Sequence, residues 1–201
     1  HLHRRPKKNK DMTLSHSKLT VINQALLELG LLPVATMNES DAAKFIAAKL
    51  DSLLPNLLLA TNWHFAVKYR KDNTPLTQNF SPDYPYTYQL PYDFGRFIQG
   101  GSHQIDDYLL VDGYVLCHNK SFSYYYTVNH LDYDMMPTLF ARTLALYAAA
   151  DSAVSLTQNI QLATHLESKY QQEKMNALLL DNIEQGIKST AQNDLDRVRG
   201  V

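Results

Sequence analysis

The chain holds one cysteine, Cys117, among its 201 residues. A lone thiol cannot close a disulfide within the chain, and it fits a reducing compartment. No run of eighteen or more apolar residues occurs, which excludes a membrane-spanning helix. The N-terminus lacks the apolar core of a secretory signal. The motifs HExxH, GxSxG, GxGxxG and the phosphate-binding P-loop are all missing, so the familiar routes to metal, nucleophilic, dinucleotide and phosphoryl chemistry have no foothold here. These absences describe a soluble, cytoplasm-made protein with no catalytic constellation and no cofactor.

What is present suffices for a real core. The composition is 45% hydrophobic, 19% charged and 10% aromatic, enough for one domain or one domain carrying an insertion. The formal net charge of −1 conceals an asymmetry. Residues His1–Asp11 contain Arg4, Arg5, Lys7, Lys8 and Lys10 against Asp11 alone; without them 14 basic and 19 acidic side chains remain, a net of −5. The body is mildly acidic and the basic block is an appendage. Met12 reads as a native start, which makes residues 1–13 a fusion scar or a disordered extension, with a nucleic-acid arm as the alternative.

Composition switches twice along the chain, from helical to β-rich and back. Ser15 or Ser17 can cap a first helix, whose apolar positions are Val21, Ile22, Ala25, Leu26 and Leu29, and Gly30 followed by Pro33 ends it. A second helix opens near Ser40 and carries Ala43, Ile46, Ala47, Leu50, Leu53 and Leu54 on one face. Pro55 should kink or restart it, with Leu57–Leu59 beginning a second piece. Between His64 and Asp134 lie 11 of the 13 tyrosines. Strands are expected at Phe65–Tyr69, Tyr86–Leu90, Tyr108–Val111, Tyr114–His118 and Ser121–Val128, with Asp112-Gly113 as a hairpin turn and Asn73–Tyr86 as an exposed loop.

From Pro137 the chain turns helical again, with neither Pro nor Gly between Thr138 and Gln185. The small residues Ala148–Ala150 make the third helix a central one. The fourth spans about Asn159–Ile183, with Ile160, Ala163, Leu166, Tyr170, Ala177 and Leu178 on its buried face. Beyond Ile187 the polar tail has too few apolar residues to fold alone and is either disordered or ordered by a partner. The expected fold is therefore α+β: an antiparallel bundle of about four long helices (14–63 and 135–186) with a Tyr-rich antiparallel β module (64–134) inserted, followed by a tail (187–201).

Few residues offer chemistry. Cys117 lies in an expected strand and reads as packed rather than reactive. His130, Asp132 and Asp134, spaced by two, could share one face of an extended segment and hold a metal; an acidic loop before a helix start is the ordinary reading. Asp106-Asp107 reads as a solvated turn. Tyrosine density suits a protein interface or a surface that stacks sugars or bases, while β-strands favour tyrosine in any case. The acidic body argues against a nucleic-acid clamp, which needs a basic track.

The order of the segments carries more information than any one of them. Ile22–Gly30 leads into a short Leu-Pro turn (INQALLELGLLPV); Ala42–Ala48 leads to Trp63-His64-Phe65-Ala66; Tyr86–Arg96 reads YTYQLPYDFGR; Asp134 and Pro137 precede a Phe and an Ala-rich helix. This series, over roughly Leu14–Gly186, resembles the tail tubular protein A family, the head-to-tail adaptors of short-tailed bacteriophages. The resemblance implies a virion tail protein assembled in the host cytoplasm, forming a dodecameric ring between portal and tail nozzle and extending the DNA channel. It implies no cofactor, no membrane and no sequence-specific grip on the passing DNA. Trp63 and Phe65 are then anchors between bundle and β module. Pro91, Asp93 and Arg96 shape a turn in which the acid and the arginine pair or bond backbone. Leu195, Arg197, Val198 and Arg199 are the expected portal contacts. A carbohydrate- or protein-binding module, and behind it a cell-wall hydrolase, are the competing readings, though no carboxylate pair suggests itself for hydrolysis.

Overall fold

The computed structural model describes residues 17–98 and 107–199, with side chains as far as Ile183 except that of Phe122. The basic extension of residues 1–13 and Asp106 lie outside the described residues. The first helix, α1 (Lys18–Glu28), starts where Ser17 Oγ accepts the Thr20 N–H at 3.1 Å, which satisfies one of the donors every helix start leaves over. It stops at Gly30 (φ +73°). There the Leu31 N–H returns to the Leu26 carbonyl at 2.9 Å and the Gly30 N–H to Leu27 at 3.0 Å, the bond pattern of a Schellman cap. The side-chain amide of Asn23 then brackets Val34 from both sides, donating to its carbonyl and accepting its N–H. The connection to the next helix is thereby tied back onto α1.

The second helix, α2 (Asp41–Leu59), is capped by Ser40 Oγ on the Ala43 N–H. It passes through Pro55 as one helix, so the restart expected at Leu57 does not occur. Leu53 and Leu54 before the proline and Leu57 and Leu58 after it are all buried. Packing on both sides holds the helical path although Pro55 supplies no N–H to it.

Helix α3 (Thr138–Thr157) follows Pro137 and touches each of the other three helices. Its Ala141, Ala145, Ala148, Ala149 and Ala153 are buried, and side chains this small let neighbouring backbones approach closely. Gln158 takes the left-handed conformation (φ +53°), and Asn159 Oδ1 caps the next helix through the Leu162 N–H at 2.9 Å. That helix, α4, runs from Ile160 to Arg199. The fourth helix thus continues past Ile183 and past 187, where a separate tail was expected. Lys, Ala, Gln, Leu and Arg are good helix formers and no proline interrupts them; the single Gly186 costs about 1 kcal/mol. Ile160, expected on the buried face, is 72% exposed, because the first turn of α4 has only just left α3. Farther on, Leu166, Tyr170 and Ala177 are buried as expected. Tyr170 stacks on Tyr147 (4.7 Å, 10°), and Lys169 bridges to Glu28 of α1 at 2.6 Å.

Between α2 and α3 sits the β module, made of two three-stranded antiparallel sheets. A 3₁₀ turn (His64–Ala66) leads into β1 (Val67–Asp72), so the first strand begins two residues later than the alternation at Phe65 suggests. Strands β2 (Tyr86–Gln89), β3 (Phe94–Phe97), β4 (Tyr108–Val111), β5 (Tyr114–Cys117) and β6 (Phe122–Val128) follow. The spatial orders are β1-β6-β3 and β2-β5-β4. Asp112 (φ +47°) and Gly113 (φ +80°) make the two-residue turn between β4 and β5, as a hairpin of the primed type requires.

Several tyrosines belong to the core. Burial is the first cause that pushes the phenols of Tyr88, Tyr133 and Tyr170 up to about 12, and it raises Tyr124 as well. The folded state therefore disfavours their ionisation. Their stabilising contribution is complete below the ordinary phenol value of 10 and is lost as pH climbs towards 12. Absorbance titration should show these rings ionising only together with the loss of helical circular dichroism. Smooth titration of all thirteen tyrosines in the folded protein would contradict this.

Candidate docking surface at the seam of bundle and β module

Trp63 is fully buried and its indole N–H donates to the Leu57 carbonyl at 2.8 Å. That carbonyl belongs to the last turn of α2, where helix carbonyls have no partner of their own. The ring thus caps one helix while packing edge-on against Phe140 of α3 (5.1 Å, 83°), and Phe65 closes the triangle (4.9 Å to Phe140). Both anticipated anchors, Trp63 and Phe65, meet at the seam.

Beside the triangle lies a groove of about 540 Å³ whose walls include Trp63, Phe65, Met135, Met136, Phe140 and Leu180. Its polar groups come from Asp134, Thr138 and Asp181. Asp181 closes the groove from α4: its Oδ2 accepts the His64 backbone N–H at 2.7 Å and lies 3.2 Å from His64 Nδ1. This latch joins residues 117 apart in sequence, and an aspartate after Leu178–Leu180 gave only a faint sign of it. Along the same stretch of α4, Met175, Leu179, Leu180 and Ile183 are exposed, and Met135 is 69% exposed across the groove. Apolar side chains gathered this way mark a surface for another protein more readily than a reaction centre.

The second anticipated cluster is built differently from the expectation. Pro91 does begin a turn, with its carbonyl accepting the Phe94 N–H at 3.0 Å. Asp93 and Arg96, however, do not pair. The Asp93 carboxylate is buried and accepts from Lys68 Nζ (2.5 Å) and Tyr126 Oη (3.2 Å), while Arg96 donates to Asn62 Oδ1. The reason is strand alternation: a bulge between Phe94 and Arg96 turns the arginine away from the face that Asp93 serves. The hydrogen bond that Lys68 donates to Asp93 is the main cause that raises the Lys68 ammonium. It ties β1 to the turn before β3.

The remaining candidates are dispersed. Cys117 is buried with its Sγ 3.5 Å from the Asn119 carbonyl, and burial pushes the thiol up, away from the reactive thiolate. His130 and Asp132 lie 3.5 Å apart on the surface, while Asp134 lines the groove. Among the described residues no three metal-binding side chains converge. The exposed rings of Tyr69 and Tyr125 stand 5.1 Å apart but are tilted by 51°, which is not the flat platform that stacks a sugar. The side chains of Leu195, Arg197, Val198 and Arg199 lie outside the described ones; their backbone belongs to α4. Compared with known proteins, the chain matches no protein-family model and no curated sequence.

Proposed function

We propose that the protein is a structural head-to-tail adaptor of a short-tailed phage, one subunit of a ring set between portal and tail nozzle. The observation that carries this reading is the order of segments. Two helices joined by a Leu-Pro turn, a Trp-His-Phe-Ala entry, a Tyr…Leu-Pro…Arg turn and an acid-proline helix start resemble the tail tubular protein A series. They fall on a β module inserted between two helix pairs. The apolar surface around Met135 and α4 supports a docking role, since large exposed apolar patches on one subunit are commonly covered in an assembly. An acidic body fits a channel through which DNA slides without adhering. Helix α4, at about 1.5 Å per residue, is roughly twice as long as α3, a length that suits reaching a partner such as the portal. Leu195, Arg197, Val198 and Arg199 sit on its far half and are assigned to this contact.

Purified protein mixed with its portal and viewed by electron microscopy tests the reading. A ring added beneath the portal is the expected result, and failure to bind any portal ring at any concentration would sink it. Removing residues 190–201 should abolish portal docking while leaving the thermal midpoint of the free protein unchanged. Undiminished docking by the shortened chain would clear the terminal residues of that role.

A further inference from the structure

The groove beside Trp63 is apolar, and its charge is of one sign. Its lining carries two carboxylates, Asp134 and Asp181, and neither lysine nor arginine. Asp181 is engaged by His64, and the neighbouring Asp132 stands beside His130. Asp134 is exposed, and among the described residues no cation lies within ion-pair distance of it. The start of α1 is close by. Lys18 pairs with Asp51 of α2 at 2.5 Å, and the Asp51 charge adds to burial in raising the phenol of Tyr133. Tyr133 opens the single 3₁₀ turn that ends at Met135. A chain of neighbours therefore leads from Lys18 through Asp51 and Tyr133 to the groove wall at Asp134 and Met135.

We propose that this groove is covered in the free subunit by residues 1–16 of its own chain, with Met12 and Leu14 in the groove and the basic run before them over Asp134. Those residues precede Ser17 and lie outside the described ones. Reach and charge select them. Extended chain covers about 3.3–3.6 Å per residue, so Leu14 reaches about 10 Å from Ser17 and Met12 about 17 Å. Beyond Met12 come Lys10, Lys8, Lys7, Arg5 and Arg4 against Asp11 alone. The basic block of the chain thus meets the wall that has acid and no base. A segment tethered this close has a local concentration of about a millimolar, so a contact too weak to join separate molecules holds within one chain. An anionic occupant is opposed by Asp134, since like charges facing across an interface repel. A partner that uses this surface has to displace the segment, so the apolar groove stays shut until that partner is at hand. The inference stands on the groove and the start of α1, and does not need the ring reading.

Trp63 is the sole tryptophan and lines the groove, so its fluorescence reports on this site. The probe is Nile red, a neutral apolar dye. A cover closed about nine-tenths of the time weakens any ligand of the groove about tenfold. Removing residues 1–16 should therefore tighten dye binding by about that factor, read as quenching of Trp63 by energy transfer, and a synthetic peptide of residues 1–16 should displace the dye again. Asp134→Lys in the full chain should reproduce part of the gain, more so at low than at high salt. Cross-linking locates the segment directly. Leu14→Cys with Met135→Cys should close a disulfide within one chain several times faster than Leu14→Cys with Leu32→Cys, which is exposed beyond the other end of α1; Cys117 is buried and stays apart. Circular dichroism checks folding, and if the shortened chain does not fold, the cross-link in the full chain decides alone. Dye binding indifferent to the loss of residues 1–16 overturns the proposal. So do equal rates for the two cysteine pairs, or cross-links formed only between chains, while the adaptor reading survives all three.

Discussion

Replacing Trp63 with alanine should lower the stability by about 3–5 kcal/mol, the range for emptying a large aromatic from a packed core. The side chain is fully buried between Phe65 and Phe140, and its removal opens the wall of the neighbouring groove. It also strips the Leu57 carbonyl of its only indole donor, and a buried acceptor left without a partner costs about 1–3 kcal/mol of its own. The two effects overlap, because water entering the vacated site can bond the carbonyl. Trp63→Phe separates them: it keeps most of the ring and loses only the donor, so its cost should be under half that of alanine. Urea unfolding followed by circular dichroism gives both numbers. Equal costs for the two variants would mean that the hydrogen bond, not the packing, holds the seam.

Gly95→Ala should be nearly as damaging despite adding a single methyl group. A Cβ built there meets Leu59 Cδ2 at 2.5 Å, the Thr127 carbonyl oxygen at 2.7 Å and the Asn129 nitrogen at 3.2 Å. Leu59 can rotate away, but the other two atoms are backbone of β6 and its exit, and β6 is held between β1 and β3. Forcing extra volume into such a site costs about 1–3 kcal/mol, with backbone displacement at the upper end. Gly113→Ala is the contrast, since nothing lies within 4 Å of that position and only the left-handed conformation resists, at a cost of about 1 kcal/mol. Thermal midpoints of the two alanine variants should therefore differ by several degrees. If Gly113→Ala proves the worse, close packing of β3 on α2 is not what fixes the module in place.

Gly95 also shows where sequence reasoning stops. The helix ends at Ser17, Gly30 and Ser40 and the turn at Asp112-Gly113 were legible because each is a local bargain between one side chain and its own backbone. The central place of α3 was legible from composition instead, in the small residues Ala148–Ala150 that let neighbouring helices approach. Strand β3 escaped notice because four residues containing glycine carry no usable period, and its place is set by β6, about thirty residues downstream. The partners of Asp93 and Asp181 are likewise decided by tertiary contact. Pro55 and the continuation of α4 past Gly186 are the opposite case, where a local breaker was outweighed by packing or by the helix formers around it. At the candidate site, Trp63 and Phe65 were legible as anchors from their place between helix and strand. The groove beside them was not, because Met135 and Leu180 meet only in the folded chain.

The β module separates the end of α2 at Leu59 from the start of α3 at Thr138. A ribosome adds about 5–20 residues per second, so for several seconds of synthesis Ile46, Leu50 and Leu54 wait without the helix that will bury them. During that interval the nascent chain shows α1 and α2 as an unfinished pair, with an apolar face turned to water. Insertion of a module into the middle of a bundle thus moves the hazard of aggregation from the finished protein to its birth, and chaperone demand should fall sharply in a circularly permuted chain whose four helices are made consecutively.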